Sequence, residues 1–286
     1  MSDNGAGPNT AQIEYWNSEA GPRWVANQER MDTLLAPLMH TALDRAHPAV
    51  GESVLDIGCG CGATLLELAG RVGPTGSVSG VDISAPMLAR ARERVRDSAL
   101  TNVQLTQSDA ATHAFTPGAF DLAFSRFGVM FFDEPVAAFA NIRSALAASG
   151  RLAFVCWAPP QDNPWFVVPL AVARPYLPPQ PESDPDAPGP FAFANPERVR
   201  GILTGAGYTA IDVARHDVSM RICGPGETGQ AVRFAVENGP VGRAMAGAAP
   251  DARVAAEQAI AAEFRRIEGT GGIELPGSVW LVSARS

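Results

Sequence analysis

The stretch Val54-Leu-Asp-Ile-Gly-Cys-Gly-Cys-Gly-Ala-Thr64 decides the fold. Ser53 to Ile57 reads as a short apolar strand, Gly58, Gly60 and Gly62 follow in alternation, and a helical pattern runs from about Thr64 to Val72. Without Cβ atoms the backbone can turn tightly and let a ligand approach main-chain N–H groups. A tight strand-to-helix turn accounts for one glycine. Three alternating ones point to a ligand loop.

Working outward, Ser77 to Asp82 is a second strand, and Ser84 is placed to cap a helix that carries Pro86 in its first turn and continues to about Asp97. Val103 to Thr106 and Phe120 to Ser125 are further strands. Asp133 to Ala148 is a helix stopped at Gly150, and Arg151 to Trp157 a fifth strand. Strands alternating with helices of this length imply right-handed βαβ units, hence an α/β, doubly wound, mostly parallel sheet. Upstream, Gln28 to Ala46 has helical spacing broken at Pro37, giving one kinked helix or two short ones. Residues 1–12 are polar and Gly/Asn-rich and are expected to be a disordered lead, with a helical segment over 13–50.

The second half is less regular, with 11 of the 24 prolines between positions 159 and 190. A helix resumes at Asn195-Pro196 and stops near Gly205 and Gly207, and Thr209 to Met220 alternates as a strand. Thr228 to Met245 and Asp251 to Ile267 read as two helices, and Val279 to Ala284 as a closing strand. The sheet resumes after its interruptions. Residues 51–286 are therefore expected to be one domain, with lid insertions at about 158–195 and 222–272.

Composition removes several chemistries. All 22 basic residues are arginine, so Schiff-base lysines, a phosphate-loop lysine and the Tyr/Lys pair of short-chain dehydrogenases are excluded. A net charge of −8 argues against nucleic acid as a partner. Arg90, Arg92, Arg94 and Arg96, two apart, spread around a helix and read as a solvated face. Four cysteines without CxxC spacing suggest neither a metal site nor a disulfide framework, and suit a reducing cytoplasmic compartment. No apolar run reaches the roughly 18 residues of a membrane span.

Gly58, Gly60 and Ala63 also satisfy the GxGxxA form of a dinucleotide fingerprint, and in either reading Asp82 would accept hydrogen bonds from a ribose diol. Two features favour another ligand. Asp56 lies two residues before the first glycine, where its charge repels a pyrophosphate and suits a cationic or zwitterionic group. The glycines also keep the alternating GxGxG register.

Asp56-Ile-Gly-Cys-Gly-Cys-Gly62, followed by Val81-Asp-Ile-Ser84, resembles the class I (Rossmann-like) S-adenosylmethionine-dependent methyltransferases, in the small-molecule branch that includes ubiquinone and menaquinone biosynthesis methyltransferases. The resemblance continues through Gln107-Ser-Asp-Ala110 and Phe120-Asp-Leu-Ala-Phe-Ser-Arg-Phe127, covering residues 12–157 closely and the remainder loosely. It implies a seven-stranded sheet, S-adenosylmethionine as cofactor and S-adenosylhomocysteine as product. It implies that Asp56, Gly58, Gly60 and Gly62 cradle the methionine part and Asp82 holds the ribose. Ile83 and Met87 would flank adenine, and Asp109 would accept from its amino group beside the Ala110 N–H. Ser125 would lie under the methionyl end. Tyr15, Trp16 and Trp24 resemble the aromatic segment that closes over the cofactor, though such residues also pack as ordinary core.

The expected function is methyl transfer to an O, N or C atom of a small-molecule acceptor, apolar or aromatic in character. Phe127, Met130, Trp157 and Trp165, with Phe131 and Phe132, are the candidate acceptor contacts or core. His113 and Arg126 are the candidate catalytic groups. Arg126, at a strand's carboxyl end, would orient an anionic group or pair with a local carboxylate. His113 would face the pocket rim or pack. The insertions would form the acceptor-site lid, and the two C-terminal helices would cap the site or make a homodimer surface. The competing readings are an NAD(P)-dependent oxidoreductase and a catalytically silent cofactor-binding or scaffold protein.

Overall fold

Val54, Leu55 and Ile57 are almost completely buried, as both faces of a central parallel strand demand. They belong to β1 (Ser53–Ile57), the third strand of a seven-stranded sheet ordered β3-β2-β1-β4-β5-β7-β6. The other strands are β2 (Ser77–Asp82), β3 (Val103–Gln107), β4 (Phe120–Arg126), β5 (Leu146–Trp157), β6 (Thr209–Cys223) and β7 (Ile273–Arg285). The pairs β1–β2, β2–β3, β1–β4 and β4–β5 are all parallel. The strand order reverses between β1 and β4, and ligands of open α/β sheets collect at the carboxyl ends on either side of such a switch. The computed structural model describes residue 7 and residues 9–179 and 184–286, without the side chain of Asn238.

Helices α4 (Ala63–Val72), α5 (Ala85–Asp97) and α6 (Pro135–Ala145) connect the strands, preceded by α1 (Thr10–Ser18), α2 (Ala20–Ala26) and α3 (Gln28–Ala46). The chain divides into two compact units. The first joins the residues up to Trp157 with Asp186–Arg215, which contains α8 (Pro196–Gly205), and Trp280–Ser286. Its aromatic core centres on Phe139, whose ring lies 5.6 Å from Phe154, 6.1 Å from Phe193 and 6.4 Å from Tyr208. The second unit comprises Ala158–Pro185 and His216–Val279. There α7 (Pro164–Ala173), α9 (Thr228–Asn238), α10 (Pro240–Met245) and α11 (Pro250–Ile267) pack together. Buried Asn163 pins the unit's two segments: its amide donates to Ala158 O and Ser278 O and accepts from Ser278 N, at 3.0–3.1 Å.

Several expectations change. Of the two alternatives at Pro37, the single helix α3 holds, whereas Gly239-Pro240 splits the helix expected over 228–245. β5 begins at Leu146, so α6 ends well before Gly150. Helix α1 starts inside the stretch expected to be a disordered lead, whose positions 1–6 and 8 lie outside the described residues. Ala158–Pro185 and His216–Val279, which overlap the expected insertions at 158–195 and 222–272 without coinciding with them, cluster as the second unit, while residues 186–195 go with the first. Ser84 is extended but makes no side-chain cap on α5; its hydroxyl is turned to donate to Trp16 O on α1. Asn195 does cap α8, accepting from Glu197 N. Among the described residues no helix is long and apolar enough to cross a membrane.

Truncating Phe139 would leave a ring-sized void among four aromatic neighbours. Phe139→Ala is expected to destabilise the first unit by about 3–5 kcal/mol, read as a lower urea midpoint by tryptophan fluorescence.

Candidate active site

Gly58, Gly60 and Gly62 all have left-handed backbone, at φ of 67°, 54° and 85°. The site depends most on Gly58. A Cβ there would lie 2.8 Å from the Cα of Gly128, and a Cβ on Gly128 would lie 2.9 Å from the Cα of Gly58. The loops leaving β1 and β4 therefore touch backbone to backbone. Phe127 takes a positive φ of 61°, unusual for a bulky residue, and its ring stacks on Trp157 at 4.3 Å and 10°. The glycine loop does not offer a row of free N–H groups. Those of Gly58 and Cys59 donate to Val81 O, that of Gly60 to Asp82 and that of Gly62 to Cys59 O. An anion cradle is thus largely spent internally, and the glycines serve close approach.

Asp56, at the end of β1, is fully buried. Its Oδ2 accepts a 2.6 Å hydrogen bond from the Thr64 hydroxyl at the start of α4, while its Oδ1 has no partner. Burial raises its pKa to about 7, against the lowering effects of Thr64 and of Arg126 and with a further rise from Asp82. A buried acceptor oxygen left open is expensive. It is the position at which a ligand's ammonium group would be satisfied, so the residues present fit the cofactor that the motifs imply.

Asp82, ending β2, accepts from Gly60 N and Ser84 N at 2.8 Å, one oxygen each. The Ile83 N–H also donates to this carboxylate, and these backbone donors counter the rise in its pKa that burial causes. Met87 is buried and its Cε would meet a Cβ on Gly60 at 2.8 Å, so the side chain lies against the glycine loop. The N-terminal helices grip the same turn. Asn17 donates to Ile83 O and accepts from Ala85 N, both at 2.9 Å. A Cβ on Gly21 would come 2.5 Å from Ser84 Oγ and 3.0 Å from Pro86. Tyr15, Trp16 and Trp24 form an edge-to-face cluster completed by Phe131 at 5.3 Å from Trp16.

Past β3, Asp109 accepts from Ala111 N and from the side chain of Asn9, and Ala110 is buried. His113 is engaged with Ser108 Oγ at 3.0 Å and packs edge-on against Phe115, which favours its packing role. Ser125 is fully buried, donating to Ile57 O and accepting from Gly128 N, so it ties β4 to β1. Met130 is buried to 1% exposure. Trp165 belongs to the second unit, where its indole donates to Asn163.

Arg126 is paired with a local carboxylate: its Nη2 is 3.8 Å from Asp32, and its Nη1 is buried without a partner. Asp32 also binds Arg94 at 2.9 Å and accepts from Gln28, which in turn accepts from Arg90. Arg94 further donates to Cys61 O. Arg90 and Arg94 thus leave the solvated face expected for them, since their four-residue spacing puts both on one side of α5. Cys59 and Cys61 are buried, burial pushing the Cys61 thiol up to about 12, as suits small packing residues. The sequence reading missed Asn9, Asn17, Asp32 and Thr64. Only the Arg90/Arg94 spacing carried a signal.

Residues 54–150 match a methyltransferase domain family. The chain is 37% identical to aklanonic acid methyltransferase DauC of Streptomyces sp. over half its own length and 61% of that protein. It is 30% identical to nocamycin O-methyltransferase of Saccharothrix syringae over 65% of its length and 69% of that protein's. The chain belongs to the S-adenosylmethionine-dependent methyltransferases. Similarity to demethylmenaquinone methyltransferase of Listeria monocytogenes is 30% over 45% of the chain, spanning about half that relative's length. Among solved structures, the YcgJ protein of Bacillus subtilis aligns over 87% of this methyltransferase chain and 97% of its own, with a TM-score of 0.57 and 17% identity. The [4+2]-cyclase SpnF aligns with a TM-score of 0.55, at 20% identity over 87% and 80% of the two chains. These structural likenesses establish the fold, not the chemistry. Family membership removes the nicotinamide alternative for the glycine loop.

The open Asp56 oxygen predicts a pH dependence. An ammonium group binds the ionised carboxylate, so S-adenosylhomocysteine affinity should rise with pH as a group near pKa 7 ionises. Calorimetry should find roughly tenfold weaker binding at pH 6 than at pH 8, with protons released on binding, and Asp56→Asn should flatten the profile. Folding carries the opposite sign. Because the native pKa is raised, the folded state holds the extra proton between about pH 4 and 7, and stability from this group declines as pH rises through that window.

Proposed function

We propose that this chain transfers the methyl group of S-adenosylmethionine to an O, N or C atom of a small-molecule acceptor of apolar or aromatic character. The observation that carries it is the open, buried Oδ1 of Asp56 beside the glycine loop at the β1/β4 switch point. The family relatives named for aklanonic acid, nocamycin and demethylmenaquinone support a small-molecule acceptor.

In this reading the cofactor supplies an already activated methyl on a sulfonium sulfur, so transfer needs alignment and exclusion of water more than a strong base. Asp56 Oδ1 would accept from the ammonium group, and the Asp82 carboxylate would accept from the ribose diol. Asp109 accepts from the adenine amino group, with Ile83 and Met87 flanking the base. The stacked pair Phe127/Trp157, at the carboxyl ends of β4 and β5, supplies an apolar wall that favours an aromatic or aliphatic acceptor. Arg126 is tethered to Asp32 through Nη2, and its unpartnered Nη1 is the group that would orient an anionic part of the acceptor.

Formation of S-adenosylhomocysteine across a panel of aromatic and aliphatic acceptors tests the reading. Turnover with at least one apolar member is expected, and no calorimetric binding of S-adenosylhomocysteine would overturn it. Asp82→Ala should weaken that binding by about 1.5–3 kcal/mol, the worth of charge-assisted hydrogen bonds. Unchanged affinity would refute the ribose assignment.

A further inference from the structure

The residue that meets Asp109 is a polar side chain from the far N-terminus. Asn9 is 3% exposed and has left-handed backbone at φ 62°, a conformation asparagine tolerates better than most residues. Its Nδ2 lies 3.0 Å from Asp109 Oδ1 and 2.9 Å from Oδ2. Its Oδ1 accepts from Asp133 N at 2.7 Å, and its own backbone N–H donates to Asp133 Oδ2 at 2.7 Å. The amide's orientation is thereby fixed: a flip would set its oxygen against the Asp109 carboxylate and its NH2 against the Asp133 N–H. Two donors thus hold the Asp109 carboxylate, the Asn9 amide and the backbone N–H of Ala111, the latter at 2.9 Å on Oδ1. The Asn9 N–H is shared between the two oxygens and the Ala111 N–H adds to Oδ1, so Oδ2 is the less occupied acceptor.

We propose that Asn9 is a positioning residue for base recognition: anchored on Asp133, it fixes the Asp109 carboxylate so that its less occupied oxygen, Oδ2, is held for the exocyclic amine of the cofactor's adenine. The inference rests on the adenine role given to Asp109 above. A carboxylate held by two donors has lost its rotational freedom before the ligand arrives, and that preorganisation is converted into selectivity. The selectivity is for an amino group over a carbonyl at the same ring position, because a carbonyl oxygen would face the carboxylate lone pair and leave it unpaired. A residue that only fastens the N-terminal helices would strengthen binding of either base equally.

That difference is the test. Calorimetry would compare S-adenosylhomocysteine with its deaminated analogue, S-inosylhomocysteine, on the whole chain. The wild type is expected to prefer the adenine form by roughly 100-fold, below the 10⁴–10⁵ of a fully enclosed site built to receive an NH group because Asp109 is only half-buried. Asn9→Ala should lower the adenine affinity about tenfold and leave the inosine affinity within twofold, so the preference shrinks toward tenfold. Asp133→Ala, which removes the acceptor of the Asn9 backbone N–H but keeps the residue-133 N–H that holds the amide oxygen, should shrink it by about threefold, and it serves should Asn9→Ala fail to fold. Equal weakening of both ligands, or an unchanged preference in the two variants while the wild type discriminates, overturns the role of Asn9 and leaves that of Asp109 standing. A wild type that binds both nucleosides equally well overturns both.

Discussion

A carboxylate with no exposure to water has to be held by its surroundings, and the arrangement around Asp56 is organised by that need. Thr64 satisfies one oxygen from the first turn of α4. The charge is met across the sheet by Arg126 at the end of β4, which Asp32 of α3 holds in turn. Asp32 is bound by Arg94 of α5, and Arg94 reaches back to the carbonyl of Cys61 in the glycine loop. Five elements around the loop are thus connected through one buried acid and its counter-charges. Two atoms of that network have no protein partner, Asp56 Oδ1 and Arg126 Nη1, and the proposed ammonium site falls on the first.

The second constraint is steric. The Gly58 and Gly128 backbones touch because neither carries a Cβ, and the contact places the ends of β1 and β4 closer than side chains would permit. Phe127 takes a left-handed conformation one residue earlier. Such a conformation costs of order 1–3 kcal/mol for a non-glycine residue, and its stacking on Trp157, with both rings buried, offsets part of it. Backbone strain here is local to the place where cofactor and acceptor are proposed to meet.

The strand and loop signals were legible because they are local. Alternating glycines after an apolar strand, an acid two residues before them and another ending the next strand all fall within 27 consecutive positions, Asp56 to Asp82. Asn9 and Asn17 were not legible. Each is an isolated asparagine in a polar stretch, and its partners stand far off in sequence, Asp109 and Asp133 for the one and the Ile83–Ala85 turn for the other. Ser84 shows how a correct local rule is overridden. It stands where a capping residue belongs, but a close-packed helix made possible by Gly21 brings Trp16 O within 2.8 Å of its hydroxyl. Likewise the division at Ala158 follows from packing among α7, α9, α10 and α11, which no single segment's pattern expresses.

The absence of lysine, which first served only to exclude chemistries, also has a structural use. A guanidinium is a planar fork that can meet several acceptors at once, whereas an ammonium is a single point of charge. Arg151 donates through Nε to Ala46 O and through its two terminal nitrogens to both oxygens of Glu52 and to His47 O, closing the end of α3 onto β5. That pairing holds the Glu52 carboxyl below its usual range. Arg94 meets both Asp32 and the Cys61 carbonyl through its Nη1. Burial pulls Arg126 downward, yet a guanidinium begins so high that it stays charged where a buried lysine would surrender its proton. The counter-charge of Asp56 therefore persists across the pH range in which Asp56 itself titrates, and the open oxygen keeps its electrostatic frame whether or not it carries a proton.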